Sequence, residues 1–140
     1  MVDIAVLIRE YLLTQASVTD FLGTANPNGS IYTGDLHEKF NPQLGPGIQL
    51  MRSGGIPAAE IPALISARLQ VRIWADQERY KLMSDVYGAV RDSLHGTCNI
   101  ALTAGVLLSA LEVTGPQPIG DPDTAWVSTF AFYGIMARPN

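Results

Sequence analysis

One change of period, at Asp76, constrains the fold of this chain more than any other feature. From Ala67 to Ala75 the residues alternate, with Ala67, Leu69, Val71, Ile73 and Ala75 on one face and Arg68, Gln70, Arg72 and Trp74 on the other. A period of two with one apolar face is a strand buried on one side. Beyond Asp76, Tyr80, Met83, Val86, Tyr87, Val90 and Leu94 recur at helical spacing, while Gln77, Lys81, Asp85, Arg91 and Asp92 point elsewhere. That spacing predicts an amphipathic helix with Asp76 as its N-cap. A strand running straight into a helix that packs back on the sheet predicts a compact α+β domain.

Ile4, Leu7, Ile8, Tyr11 and Leu12 predict a first helix, with Asp3 near its start and Arg9 and Glu10 on the other side. Ser17 or Thr19 can cap a short turn carrying Val18, Phe21 and Leu22 before Gly23 stops it. From Thr24 to Gly47, Asn26-Pro27-Asn28-Gly29 and Gly45-Pro46-Gly47 surround the isolated apolar groups Ile31, Tyr32, Leu36 and Phe40. This reads as a long loop, functional or mobile, that orders on docking. Ile48 and Leu50 mark a short strand ending near Arg52, paired with the strand at Ala67. The connection from Ser53 to Ser66 holds Gly54-Gly55, Pro57 and Pro62 and reads as an arm or flap.

Gly96 is placed to end the long helix, and two more strands follow, Gly105 to Thr114 and Ala125 to Ala137. Gly115-Pro116 and Asp121-Pro122-Asp123 separate them. The expected fold is therefore α+β, an antiparallel or mixed four-stranded sheet with two main helices packed on one face. It forms one domain, 1–140, with long loops at 24–47 and 53–66.

Composition bears on function. At 16% charged and 47% apolar residues, some of the surface is expected to be covered by other chains. A net charge of -4 and nine scattered Lys and Arg argue against binding nucleic acid by phosphate neutralisation. The lone Cys98 cannot form an intrachain disulfide, the N-terminus lacks a signal-peptide pattern, and synthesis in the cytoplasm is expected. The longest apolar stretch, Ile100 to Leu111, falls short of the roughly 20 residues that cross a bilayer, so no membrane contact is expected.

Reactive side chains are few. His95 and Cys98 are three apart, but Gly96 separates them at a helix end, so His95 is read as favouring the helix dipole and Cys98 as a small packed group. Asp35, His37 and Glu38 match no standard metal spacing, Asp121 and Asp123 lack the rest of a calcium loop, and the glycines open no phosphate cradle. No catalytic residue, metal or cofactor is expected. Arg68 and Arg72 beside Trp74 form either a solvated sheet face or a subunit contact, where Arg and Trp are enriched. The last strand carries Trp126, Phe130 and Phe132 on one face and Val127, Ala131, Tyr133 and Ile135 on the other. One face can meet the helices and the other a neighbouring subunit. The candidate interface residues are Phe40, Arg52, Ile56, Ile61, Arg68, Arg72, Trp74 and Trp126.

Several local patterns share one resemblance. They are the join Val71-Arg72-Ile73-Trp74-Ala75-Asp76, the helix end Val90-Arg91-Asp92-Ser93-Leu94 and the turn Asp121-Pro122-Asp123-Thr124 before an aromatic final strand. With the element order, they resemble the tail-completion or tail-terminator proteins of long-tailed bacteriophages and related gene-transfer particles. The likeness spans nearly the whole chain and rests on pattern and order, with no catalytic signature. It implies a structural protein, made in the host bacterial cytoplasm, that forms a homo-hexameric ring at the head-proximal end of the tail. Its implied partners are the major tail tube protein and a head-tail connector or neck protein, with DNA passing through unbound. Contacts through the loops at 24–47 and 53–66 are implied, and the proline-rich arm Gly54 to Pro62 departs from the simpler pattern. Other classes are a head-completion or minor tail protein of the neck, a small ligand-binding α+β module, and a small enzyme relying on His95 or His37.

Overall fold

The Asp3 carboxylate accepts the backbone N–H groups of Ala5 and Val6 at 3.0 and 3.2 Å and so opens the first helix, α1 (Ile4–Leu13). In the computed structural model, which describes residues 3–58, 61–121 and 126–140, α1 is followed by α2 (Ala16–Leu22), ended by Gly23 at φ 68°. A 3-10 turn (Pro27–Ser30) then leads into the first strand, β1 (Ile31–Thr33). Next come β2 (Gly47–Ala58), β3 (Ile61–Asp76), α3 (Tyr80–Leu94), β4 (Cys98–Ala101), β5 (Val106–Asp121) and β6 (Trp126–Arg138).

The strands form one mixed sheet in the order β1-β2-β3-β6-β5-β4. β1 runs parallel to β2, and the other pairs are antiparallel. The expected four strands and two main helices are thus overturned by six strands and three α-helices among the described residues, while the mixed alternative is the one that the parallel pair bears out. The two unexpected strands, β1 and β4, are edge strands of three and four residues, too short to show a period in the sequence.

Strand alternation sends Ile48, Leu50, Leu69, Val71, Ile73, Ala131, Tyr133 and Ile135 inward, where they meet Leu7, Ile8 and Leu12 of α1 and Met83, Val86, Val90 and Leu94 of α3. Each fully buried aliphatic side chain contributes about 1.5–3 kcal/mol of burial. The Tyr11 hydroxyl donates to the Ser93 carbonyl at 2.6 Å, fixing α1 against α3.

Four further expectations are corrected. Asp76 makes no capping hydrogen bond; a 3-10 turn (Gln77–Arg79) precedes α3. The segment expected as a long loop at 53–66 is strand over its described residues, and it forms an arm in which β2 and β3 keep pairing as far as Ala58 opposite Ile61, past the end of β6 at Arg138. Gly115-Pro116 does not end a strand; β5 passes through it with register shifts between Glu112 and Gln117, since a bulge tolerates a proline that cannot donate. The loop 24–47 is packed, with Ile31, Tyr32 and Phe40 buried. Of the Asp121-Pro122-Asp123-Thr124 turn, all but Asp121 lies outside the described residues.

Candidate interaction face of the sheet

Because the odd positions of β3 and β6 are taken by the core, the even positions face away from the helices. The register sets Arg72 opposite Phe130, Gln70 opposite Phe132 and Arg68 opposite Gly134. The Arg68 guanidinium lies 4.6 Å from the Phe132 ring centre, and that of Arg72 lies 5.3 Å from Phe130 and 5.4 Å from Trp74. Edge-to-face pairs continue the array, Phe130 with Phe132 at 5.9 Å and Trp74 with Trp126 at 6.0 Å. A cation over a ring face is worth about 0.5–1 kcal/mol when exposed and more when desolvated. Arg68 also donates to Thr114 Oγ1 at 3.3 Å, whereas the buried Arg72 Nε has no hydrogen-bond partner among the described residues. Both guanidinium groups are packed over aromatic rings of their own sheet.

One end of this face is walled by the 34–46 loop. Phe40 packs edge-on against Trp126 at 5.8 Å and Tyr32 at 5.5 Å. Trp74 Nε1 donates to Gln49 Oε1 at 3.0 Å, and Gln49 Nε2 donates to the Gly34 carbonyl at 2.7 Å. Asn26, only 3% exposed, holds the loop from below: its Nδ2 donates to the Gly45 carbonyl and its Oδ1 accepts from the Asn41 N–H.

The other end is apolar and open. Gly134 sits between Arg68 on β3 and Leu111 on β5, leaving a notch beside the exposed side chains of Leu111, Val113 and Met136. A Cβ at Gly134 would lie 3.4 Å from Val113 Cγ2. Arginines, aromatics and exposed apolar groups therefore share one continuous face of the sheet.

Of the residues expected at an interface, Arg68, Arg72, Trp74 and Trp126 meet on this face. Phe40 borders it, is 5% exposed and packs against Tyr32 and Trp126 of its own chain. Arg52 pairs opposite Leu69 and follows Ile48 and Leu50 on the helix side, away from this face. Ile56 and Ile61 belong to the arm by backbone, and their side chains lie outside what is described. Neither Gly134 nor the Leu111, Val113 and Met136 group is among the candidate interface residues; the apolar pair flanking Glu112 is the signal in the sequence that points to it.

Both histidines are engaged within the chain. His37 Nδ1 accepts the Lys39 N–H at 3.0 Å, and His95 Nδ1 accepts the Glu112 N–H at 2.9 Å. Cys98 is exposed on β4, contrary to the packed position expected. No group of three or more His, Cys, Asp or Glu among the described residues is placed to hold a metal ion. On the helix side, the Glu112 carboxylate accepts from the Tyr87 hydroxyl and, at 3.4 Å, from that of Tyr133, and it pairs with Arg91 at 3.2 Å. Burial first, then the adjacent carboxylate, raises the Tyr87 phenol above its ordinary range. Burial, with Tyr87 and Glu112 alongside, raises that of Tyr133. This network fastens α3 to β5 and β6.

No protein-family model matches the chain, and no curated protein matches it. Among solved structures, a chain described as "Virion of native gene transfer agent (GTA) particle" superposes with a TM-score of 0.70 at 14% sequence identity. The match covers 96% of this chain and 94% of that one. At that identity the likeness is one of fold, and it extends over nearly the full length of both chains.

Proposed function

We propose that this chain is a structural protein of a phage or gene-transfer particle, and within that class a tail terminator. In this reading it forms a homo-hexameric ring at the head-proximal end of the tail tube, stops further tube polymerisation and offers the surface on which the filled head docks. The observation that carries the reading is the nearly full-length fold match to a chain of a gene transfer agent virion. The pinned Arg and aromatic face of the sheet supports it, because ring formation asks for a self-recognition surface and no covalent chemistry. The partners in this reading are further copies of itself, the major tail tube protein and the neck connector, while DNA passes through the lumen without specific contacts.

The test is negative-stain imaging of particles made with and without this gene product. Overlong or headless tails in its absence support the terminator reading. Tails of normal length that fail only to join heads assign it to the neck as a head-completion protein, and normal joined particles overturn a role in the virion.

A further inference from the structure

The two terminal strands of the sheet are short and irregular. β1 is three residues long and its Ile31 carbonyl is taken by Arg9 Nε at 2.8 Å, while β4 is four residues long and carries Asn99 at φ 56°. The two terminal strands thus offer little to strand addition, and the two broad surfaces of the molecule present groups of opposite charge for self-association.

Those surfaces are complementary in charge. The sheet face presents Arg68 and Arg72 over aromatic rings beside the Gly134 notch, with Asp76 at its far end. On the opposite side of the molecule, α2 and α3 enclose a groove of about 380 Å³ whose charged lining is Asp85 and Asp92 and whose floor includes Gly88 and Ala89. Phe21 borders the groove and remains 39% exposed, a large apolar ring next to two carboxylates.

We propose that the occupant of the sheet face is the α2–α3 groove of a second copy of this chain. Asp85 and Asp92 of one subunit meet Arg68 and Arg72 of the next, and Phe21 fills the notch at Gly134 among Leu111, Val113 and Met136. Guanidinium groups already fixed by stacking lose little freedom on pairing with carboxylates. The contact joins two different patches, so each subunit keeps one unused face and the interaction propagates head to tail until rotation closes it into a ring. This inference rests on the ring reading above and names the surfaces that would build it.

Two charge-reversed full-length proteins test it, Arg68→Glu/Arg72→Glu and Asp85→Arg/Asp92→Arg, with subunit mass followed by analytical ultracentrifugation across a concentration series. The wild-type chain is expected to associate, and each variant alone to dissociate about a hundredfold or more readily, because like charges then face each other. Mixed one to one, the variants are expected to regain the wild-type assembly, since an acidic sheet face then meets a basic groove and the remaining faces are native. Recovery on mixing also shows that both variants are folded. A wild-type assembly retained by both variants, or lost without recovery on mixing, overturns the pairing and leaves the ring reading standing. A wild-type chain that stays monomeric at its highest soluble concentration overturns the pairing, and the imaging of particles then decides the ring reading separately.

Discussion

The ring of Phe40 occupies the space that a side chain at position 47 would need: a Cβ on Gly47 would lie 2.4 Å from Phe40 Cε1 and 2.6 Å from Cζ. Phe40 is itself held between Tyr32 and Trp126, so it cannot swing aside without unpacking the wall of the sheet face. Gly47→Ala should therefore destabilise the fold by about 1–3 kcal/mol, the usual range for overpacking. In a Phe40→Leu background the same substitution should cost measurably less, because the obstructing ring is gone. Urea denaturation of the four proteins of this cycle measures the coupling, and additive effects would show that Phe40 is free to move.

Asn26 should be the residue on which the 34–46 loop most depends. Its side chain is satisfied on both ends, by the Gly45 carbonyl at 3.0 Å and the Asn41 N–H at 2.9 Å. Asn26→Ala leaves both groups without these bonds and should cost about 1–3 kcal/mol. Asn26→Asp keeps the acceptor but turns a buried carboxylate toward a carbonyl, and should be the worse of the two at neutral pH. Hydrogen exchange at the Asn41 amide reads the local effect; unchanged protection in Asn26→Ala would remove this role.

The Tyr87, Tyr133 and Glu112 network should make stability fall in alkali. Both phenols are raised by burial and by the neighbouring carboxylate, so the folded chain holds their protons more tightly than the unfolded chain does. The contribution is fully present below about pH 10, the unfolded tyrosine value, and is progressively lost as pH rises from there toward the folded values. Tyr87→Phe should flatten that alkaline decline in a series of thermal melts. A decline of equal slope in the variant would place its origin elsewhere.

The opposite sign holds at Glu10. Its carboxylate accepts the Thr103 N–H at 2.6 Å and the Ala104 N–H at 3.0 Å, and the bond from Thr103 first holds it below the usual carboxylate range. That stability is present above the unfolded glutamate value of about 4.3 and is lost as pH falls through the lower folded value. Glu10→Gln retains an acceptor without the titration, and its melting temperature should vary less between neutral and acid pH than that of the wild type. An identical acid limb in both proteins would argue that the carboxylate is not held in this way.

How far the sequence foretold the site follows from the range of the forces involved. Arg68, Arg72 and Trp74 were assigned one outward face because a period of two is local and survives in the primary structure. Which rings they would lie over was not legible, since setting Arg72 opposite Phe130 depends on register across residues 58 positions apart. The packed loop escaped for a related reason: Asn26 and Gly45-Pro46 read as turn chemistry, and nothing local says that the Asn26 amide reaches a carbonyl 19 residues away. The glycines and prolines of 53–66 suggest a break, yet β2 and β3 resume their pairing after a register shift, from Gly55 opposite Ala67 to Ala58 opposite Ile61.

Gly134 separates folding from assembly. A Cβ there would make ordinary contact with Val113 Cγ2 at 3.4 Å and approach the Leu111 carbonyl only to 4.0 Å, and the glycine does not adopt a left-handed conformation. Gly134→Ala should leave thermal stability unchanged or raise it by up to about 1 kcal/mol, because the unfolded chain loses freedom that the strand does not use. The added methyl nevertheless fills the notch between Arg68 and Leu111, the place assigned to the Phe21 ring of a neighbouring subunit. The variant should therefore melt no earlier than the wild type while its self-association weakens, and Gly134→Val should weaken it further. Ultracentrifugation beside thermal melts distinguishes the outcomes. Undiminished assembly in both variants would mean that nothing enters the notch, whereas a parallel loss of stability and assembly would mean that Gly134 serves the fold alone.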